Sequence, residues 1–241
     1  MTYARIPGLV SIVMTVYNKR AYLEECLDSI RRQTYPNWEL ILVDDASTDG
    51  SYELAARWLD ENEPLLSGGK GVYALRLPRN SGYAGAITAG MYLSKGAYIA
   101  IHDADDLSHP QRLEKQVAFL DAHPHIDLVG TNYEVFEDGY PERRMRANWL
   151  RYGEQIGKVY AAGGHCICHG TAMLRGELFD RIGGHTRRIE GAEDYEFIAK
   201  AIKPGARNVE NLPEVLYYYR KHVQQRSRKY FGKSQTEQAD E

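Results

Sequence analysis

The chain has 241 residues, 43% of them apolar, and a net charge of −3, so it holds one large domain or two small ones with a sizeable core. The slight acidic excess argues against a nucleic-acid partner, which usually selects for a basic surplus. Three cysteines (Cys26, Cys166 and Cys168) make no disulfide framework, and no stretch is apolar enough for a signal or a membrane span, which reads as a soluble cytoplasmic protein.

Residues 9–16 (LVSIVMTV) form a β-branched apolar run, the first predicted strand. Asn18 is placed to cap the following helix, whose inner face carries Tyr22, Leu23, Cys26, Leu27 and Ile30. A second strand, residues 39–43, ends in Asp44 and Asp45. The next helix turns Leu54, Ala55, Trp58 and Leu59 inward. Residues 72–77 make a weaker third strand, and a helix opened by Asn80-Ser81-Gly82 runs to Leu93. Residues 98–101 are a buried central strand covered on both faces. This alternation predicts an α/β protein with a parallel sheet and right-handed crossovers.

Beyond the central strand, Ser108 and Gln111 match a capping box with Pro110 in the first turn of a helix that runs to about His123. A strand follows over residues 126–135. Residues 137–151 are basic and read as a mobile connection, the edge of an acceptor groove or a solvated face. Residues 165–174 (HCICHGTAML) read as a strand. Four ligands packed so closely on a strand cannot converge on one zinc ion. A short helix over residues 176–182, a helix starting at Glu193-Asp194 and a last strand over residues 215–219 complete the pattern. Residues 233–241 are polar and expected to be disordered.

The central strand ends in Asp103, Asp105 and Asp106. Carboxylates this close repel one another and lose hydration near an interior. A divalent cation with hard oxygen preference, Mn²⁺ or Mg²⁺, would offset that cost, and ligands of open α/β sheets sit beyond this strand end. The alternative is an acidic turn that caps the next helix. Asp45 ends a strand beside the tip bearing Thr15 and Tyr17. It can accept the N3–H of a uracil while Tyr17 stacks on the ring, or it can cap a helix.

Residues 10–51, 80–90 (NSGYAGAITAG), 96–113 (GAYIAIHDADDLSHPQRL), the Gly170-Thr171-Ala172-Met173 segment and residues 183–197 (GGHTRRIEGAEDYEF), in this order, resemble glycosyltransferase family 2. The resemblance spans about residues 10–219. It implies a GT-A fold with a mostly parallel central sheet and helices on both faces. It implies an inverting transfer from a nucleoside diphosphate sugar, UDP-sugar by preference, to a glycan or lipid-linked sugar acceptor in cell-surface polysaccharide or glycan synthesis. One domain over residues 1–220 would divide into a nucleotide-sugar half (1–106) and an acceptor half (107–220), followed by a polar tail (221–241).

By position, Asp103-Ala104-Asp105 matches the family's D-x-D. Asp105 would ligate the metal, and Asp103 would face the ribose or support the metal shell. Thr15, Tyr17 and Asp45 match base-binding positions, and Asp194 matches the catalytic base. Glu193-Asp194 also suits the first turn of a helix, where negative charge opposes the dipole. His222 matches a histidine that joins the metal or diphosphate when a C-terminal segment closes; a surface histidine is the alternative. Gln225-Arg226-Ser227-Arg228 resembles only part of the Q-x-x-R-W motif of processive members. That departure argues against a membrane-embedded polymerase, leaving peripheral association with the inner membrane face. A paired-Asp phosphatase would want Thr or Val where Leu107 stands, and a nucleotidyltransferase would want a Gly-rich basic first loop. A non-catalytic nucleotide-sugar-binding module keeps every acidic group and is the remaining competitor.

Overall fold

The computed structural model describes residues 4–66, 71–187, 190–203, 205 and 207–228. The first half alternates as expected: β1 (Ile6–Val16), α1 (Arg20–Arg31), β2 (Trp38–Asp44), α2 (Ser51–Leu66), β3 (Gly71–Arg76), α3 (Tyr83–Leu93) and β4 (Gly96–Asp103). These four strands pair in parallel in the order β3-β2-β1-β4. The second half holds β5 (Leu107–Ser108), α4 (Arg112–Ala122), β6 (Leu128–Glu137), β7 (Tyr140–Arg146), α5 (Glu154–Ala161), β8 (Met173–Arg175), α6 (Gly176–Ile182), α7 (Glu193–Ala201) and β9 (Val209–Lys221). The sheet continues β4-β8-β6-β9-β5, with β7 beside β6. There β8 runs antiparallel to both β4 and β6, while β6 and β9 are parallel.

The period-2 rule decides which helices cover which face. Val10, Ile12, Met14 and Val16 of β1 point into one core with Leu23 and Leu27 of α1, Trp58 of α2 and Leu120 of α4. Val13 of β1 and Ile99 and Ile101 of β4 point into the other, with Ile87 and Met91 of α3 and Phe197 and Ile198 of α7. Gly90 lets α3 lie close on the sheet: a Cβ there would stand 2.4 Å from Cγ1 of Val13. Cys26 is a buried core residue, as its helical spacing predicts.

Several local expectations are overturned by tertiary partners. Asn18 does not cap α1; its φ is 53°, and its side chain accepts from the Thr48 backbone N–H. Instead, the amides of Lys19 and Arg20 donate to the side chains of Ser51 and Asp49 at the start of α2. The capping box at Ser108 and Gln111 does not form. Ser108 lies in β5, and its hydroxyl accepts from the buried Arg112 guanidinium, while Gln111 makes no side-chain cap. The basic segment is no loose connection but contains β7, an exposed strand paired with β6. The strand expected over residues 165–174 shrinks to β8, preceded by a 3₁₀ turn at His169–Thr171. The last strand is longer than expected. Residues 233–241, expected to be disordered, lie outside the described residues.

Candidate active site

Parallel register brings the strand ends into line. Thr15 of β1 pairs with Val43 of β2 on one side and Asp103 of β4 on the other, and Val16 pairs with Asp44. Thr15, Tyr17, Asp45 and Asp103 therefore share one carboxyl edge of the sheet. Tyr17 is 48% exposed, so its ring is free to stack. Asp45 is buried and already engaged. One carboxylate oxygen accepts from the Ser81 amide (2.6 Å) and hydroxyl (2.9 Å), the other from the Gly82 amide (2.9 Å). It thus fixes the loop ahead of α3 and bonds no amide of the helix itself.

The three carboxylates of the acidic turn differ in their surroundings. Asp105 Oδ2 meets the Lys19 ammonium at 2.6 Å and His222 Nε2 at 2.9 Å. Burial opposes its ionisation, but the His222 hydrogen bond and the Lys19 charge outweigh that and bring it down to about 2. Asp103 is pushed up to about 7 by burial and then by the Asp105 charge, with Lys19 acting in the opposite direction. The two carboxylates thus sit in opposite surroundings, Asp105 against the Lys19 ammonium and His222, Asp103 buried beside a like charge. Asp106 is buried, and its Oδ1 accepts from the Arg220 amide at 2.8 Å, which ties β9 to the turn. Its role is structural.

Gly170 seats Asp103. A Cβ there would lie 2.6 Å from Asp103 Oδ2 and 2.9 Å from the Tyr217 hydroxyl, so the turn at His169–Thr171 can approach only because no side chain is present.

Asp194 stands at the start of α7 with its side chain 41% exposed, and its Oδ1 accepts from the Tyr195 amide. Its charge reaches Asp103, and both charges reach the buried Tyr83 hydroxyl. Glu193 is buried and tied down: it accepts from the Gly191 amide and pairs with the Arg226 guanidinium. The half-exposed member of the pair is Asp194. Residues 222–228 lie across the site, since His222 reaches Asp105 while Arg226 reaches Glu193 and the face of Tyr83.

The structure brings Asp103, Asp105, His222 and Asp194 into one neighbourhood, and Thr15, Tyr17 and Asp45 onto the adjoining strand ends. Sequence reasoning missed Lys19, Tyr83, Arg226 and His165, whose Nε2 lies 3.7 Å from Asp194 Oδ2. A lysine just past a strand tip was a readable signal; Arg226, His165 and Tyr83 stood in segments already singled out, but nothing there pointed to these partners. Among the described residues, no three His, Cys, Asp or Glu side chains converge to hold a metal alone. The donor set of Asp105 and His222, with Asp103 beside it, suits Mn²⁺ or Mg²⁺ that takes its remaining ligands from phosphate and water. A separate cavity of about 600 Å³, lined by Phe119, His123, Arg207 and Glu210 among others, shares no residue with this site. Among the described residues, no helix is long and apolar enough to cross a membrane.

Comparison with known proteins follows the same lines. The family model described as "Glycosyl transferase family 2" matches residues 11–183. The putative glycosyltransferase EpsE of Bacillus subtilis (strain 168) is 36% identical over 214 residues, covering 88% of this chain and 72% of EpsE. S. aureus TarS (1–349) in complex with UDP superposes with a TM-score of 0.69 at 21% identity, covering 88% of this chain and 60% of that one; this likeness bears on the fold. Mannosyltransferase PcManGT from Pyrobaculum calidifontis, in complex with GDP-Man and Mn²⁺, gives a TM-score of 0.66 at 25% identity, covering 90% and 57%. The chain thus spans under two thirds of these two solved structures.

Proposed function

The chain belongs to glycosyl transferase family 2, and from that membership we propose that it moves a sugar from a nucleoside diphosphate sugar to an acceptor hydroxyl with inversion. The observation that supports the reading is the segment 222–228, which sets His222 on Asp105 at 2.9 Å and Arg226 on Glu193, the residue before Asp194. The acceptor is a glycan or lipid-linked sugar, and the setting is cell-surface polysaccharide or glycan synthesis, with the protein at the inner membrane face. UDP-sugar is the first donor to test, beside GDP- and dTDP-sugars. The nucleotide half ends near residue 106 and the acceptor half near residue 220.

In this mechanism Thr15, Tyr17 and Asp45 line the base site, and Asp45 also fixes the Ser81-Gly82 loop beside it. Asp105, His222 and Asp103 would hold Mn²⁺ or Mg²⁺, which when bound neutralises charge on the leaving diphosphate. The Lys19 ammonium adds fixed positive charge at the same edge. Asp194 accepts the acceptor hydroxyl proton as that oxygen bonds to the anomeric carbon. The sugar–phosphate bond breaks on the opposite face, and its electron pair leaves with the diphosphate. One displacement inverts the anomeric centre.

The test is release of nucleoside diphosphate from each donor in the presence of Mn²⁺ and a sugar acceptor. Asp194→Asn keeps the shape and removes the base, so transfer should fall by about 10²–10⁴-fold with donor affinity unchanged. Transfer by Asp194→Asn at near wild-type rate would sink the base assignment. Donor binding without any release by the wild type would favour the binding-module alternative.

A further inference from the structure

His165 follows α5, in a segment with no regular secondary structure. Its ring is held from several sides. The indole of Trp149 tilts against it at 5.5 Å, and Tyr195 of α7 meets it edge-on at 6.2 Å. Tyr160 of α5 stacks on Tyr195 at 5.6 Å and 11°, which couples the two helices that flank the ring. A side chain packed in this way presents its nitrogens in fixed directions.

Those directions are chemically distinct. Nδ1 lies 2.7 Å from the Tyr160 hydroxyl. Nε2 lies 3.7 Å from Asp194 Oδ2. An ionised carboxylate only accepts, so a hydrogen bond across that gap needs the proton on Nε2. A neutral imidazole then offers a lone pair at the other nitrogen, which a phenol proton can satisfy. One tautomer serves both partners at once, with the proton on Nε2 and the Tyr160 hydroxyl donating to Nδ1. Burial pushes the Tyr160 phenol far above its ordinary value, so that proton stays in place. Burial also lowers His165, against the pull of Asp194.

We propose that His165, oriented by Tyr160, is the positioning residue that aims the Asp194 carboxylate at the acceptor hydroxyl. The inference rests on the reading of Asp194 as the base. Asp194 Oδ1 accepts from the Tyr195 amide, and the His165 ring stands beside Oδ2, so closing that remaining gap would fix the carboxylate plane. The 3.7 Å gap is wider than a hydrogen bond, as catalytic contacts often are before substrate tightens them. His165 itself transfers no proton and touches no donor group.

Transfer kinetics, acceptor KM, UDP calorimetry and thermal melts of His165→Ala, His165→Gln, Tyr160→Phe and Asp194→Asn test this, together with the Asp194→Asn/His165→Ala double variant. His165→Ala should lower kcat by about 10–100-fold, the usual effect of losing a group that orients a reactive ligand, with UDP affinity unchanged. His165→Gln restores an N–H donor and should recover most of the rate. Tyr160→Phe should lose part of it. Adding His165→Ala to Asp194→Asn should cost nothing further, because the aimed group is already gone. Wild-type kcat in His165→Ala, with Asp194→Asn collapsed, would overturn the inference and leave the base assignment standing. So would an additive loss in the double variant, or equal damage in the Ala and Gln variants. Full activity in Asp194→Asn would remove the base assignment and this inference with it.

Discussion

His222 Nε2 lies 2.9 Å from Asp105 Oδ2 although 117 residues separate them in the chain. The anchor lies next to Asp105 and two residues before His222: Asp106 Oδ1 accepts from the Arg220 amide. The Arg220 guanidinium then bonds the Asp105 carbonyl and pairs with Glu25 and Asp138. The end of β9 is thereby pinned to the acidic turn, and His222 follows. A second donor atom thus reaches the D-x-D carboxylate from the far end of the described chain.

If that pair holds a metal, UDP binding should need it. Calorimetry with Mn²⁺ and then with EDTA should show the affinity collapse on chelation. His222→Ala should weaken Mn²⁺-dependent UDP binding by about tenfold or more, equivalent to about 1.4 kcal/mol. Equal UDP affinity in EDTA would end the metal role.

Asp45→Asn places an amide N–H against the Ser81 or Gly82 N–H that the carboxylate now accepts. A buried mismatch of this kind costs about 1–3 kcal/mol, so chemical denaturation should register it. Donor affinity should fall with it, while Mn²⁺ binding through Asp105 persists. Unchanged stability would show that the loop does not depend on Asp45.

Gly170→Ala puts a methyl group 2.6 Å from Asp103 Oδ2 and 2.9 Å from the Tyr217 hydroxyl. Relief requires moving the carboxylate or the turn, at about 1–3 kcal/mol for overpacking. We expect a lower melting temperature and weaker donor binding together. Wild-type donor affinity in this variant would mean that Asp103 is not held by the turn.

His185 is buried against Phe197, and its Nε2 lies 2.8 Å from His169 Nε2. Burial, then the His169 and Lys200 charges, hold it well below its ordinary value of 6.5. The unfolded chain takes up a proton there that the folded chain refuses. Its contribution is therefore fully present above pH 6.5 and is lost as pH falls below that value. Asp103 and Asp106, shifted upward, act in the opposite sense, so the readout is a difference between variants. Relative to wild type, His185→Gln should gain up to about 1.4 kcal/mol per pH unit on acidification. A stability difference independent of pH between 7 and 5, a range of about two units around the histidine titration, would contradict this.

The strand-helix alternation through β4 was legible because it is a local property. Apolar residues at period 2 and at helical spacing declare themselves within a single element, as in residues 9–16 or Leu23, Cys26, Leu27 and Ile30. The acidic strand end was legible for the same reason, since three carboxylates in four residues announce an electrostatic cost wherever they lie. The caps were not. Asn18 and Ser108 have the right chemistry, but the Thr48 amide, thirty residues on, takes the Asn18 side chain, and the Arg112 guanidinium, four residues on, takes the Ser108 hydroxyl. Asp194 over Glu193, and His222 toward the metal, came from the family resemblance; the residues alone joined neither His222 to Asp105 nor His165 to Asp194. Those pairs are made by the register of β9 on β6 and by the seat of α7 against α5. A hydrogen bond falls off over fractions of an ångström, and no pattern along the chain carries distance at that resolution.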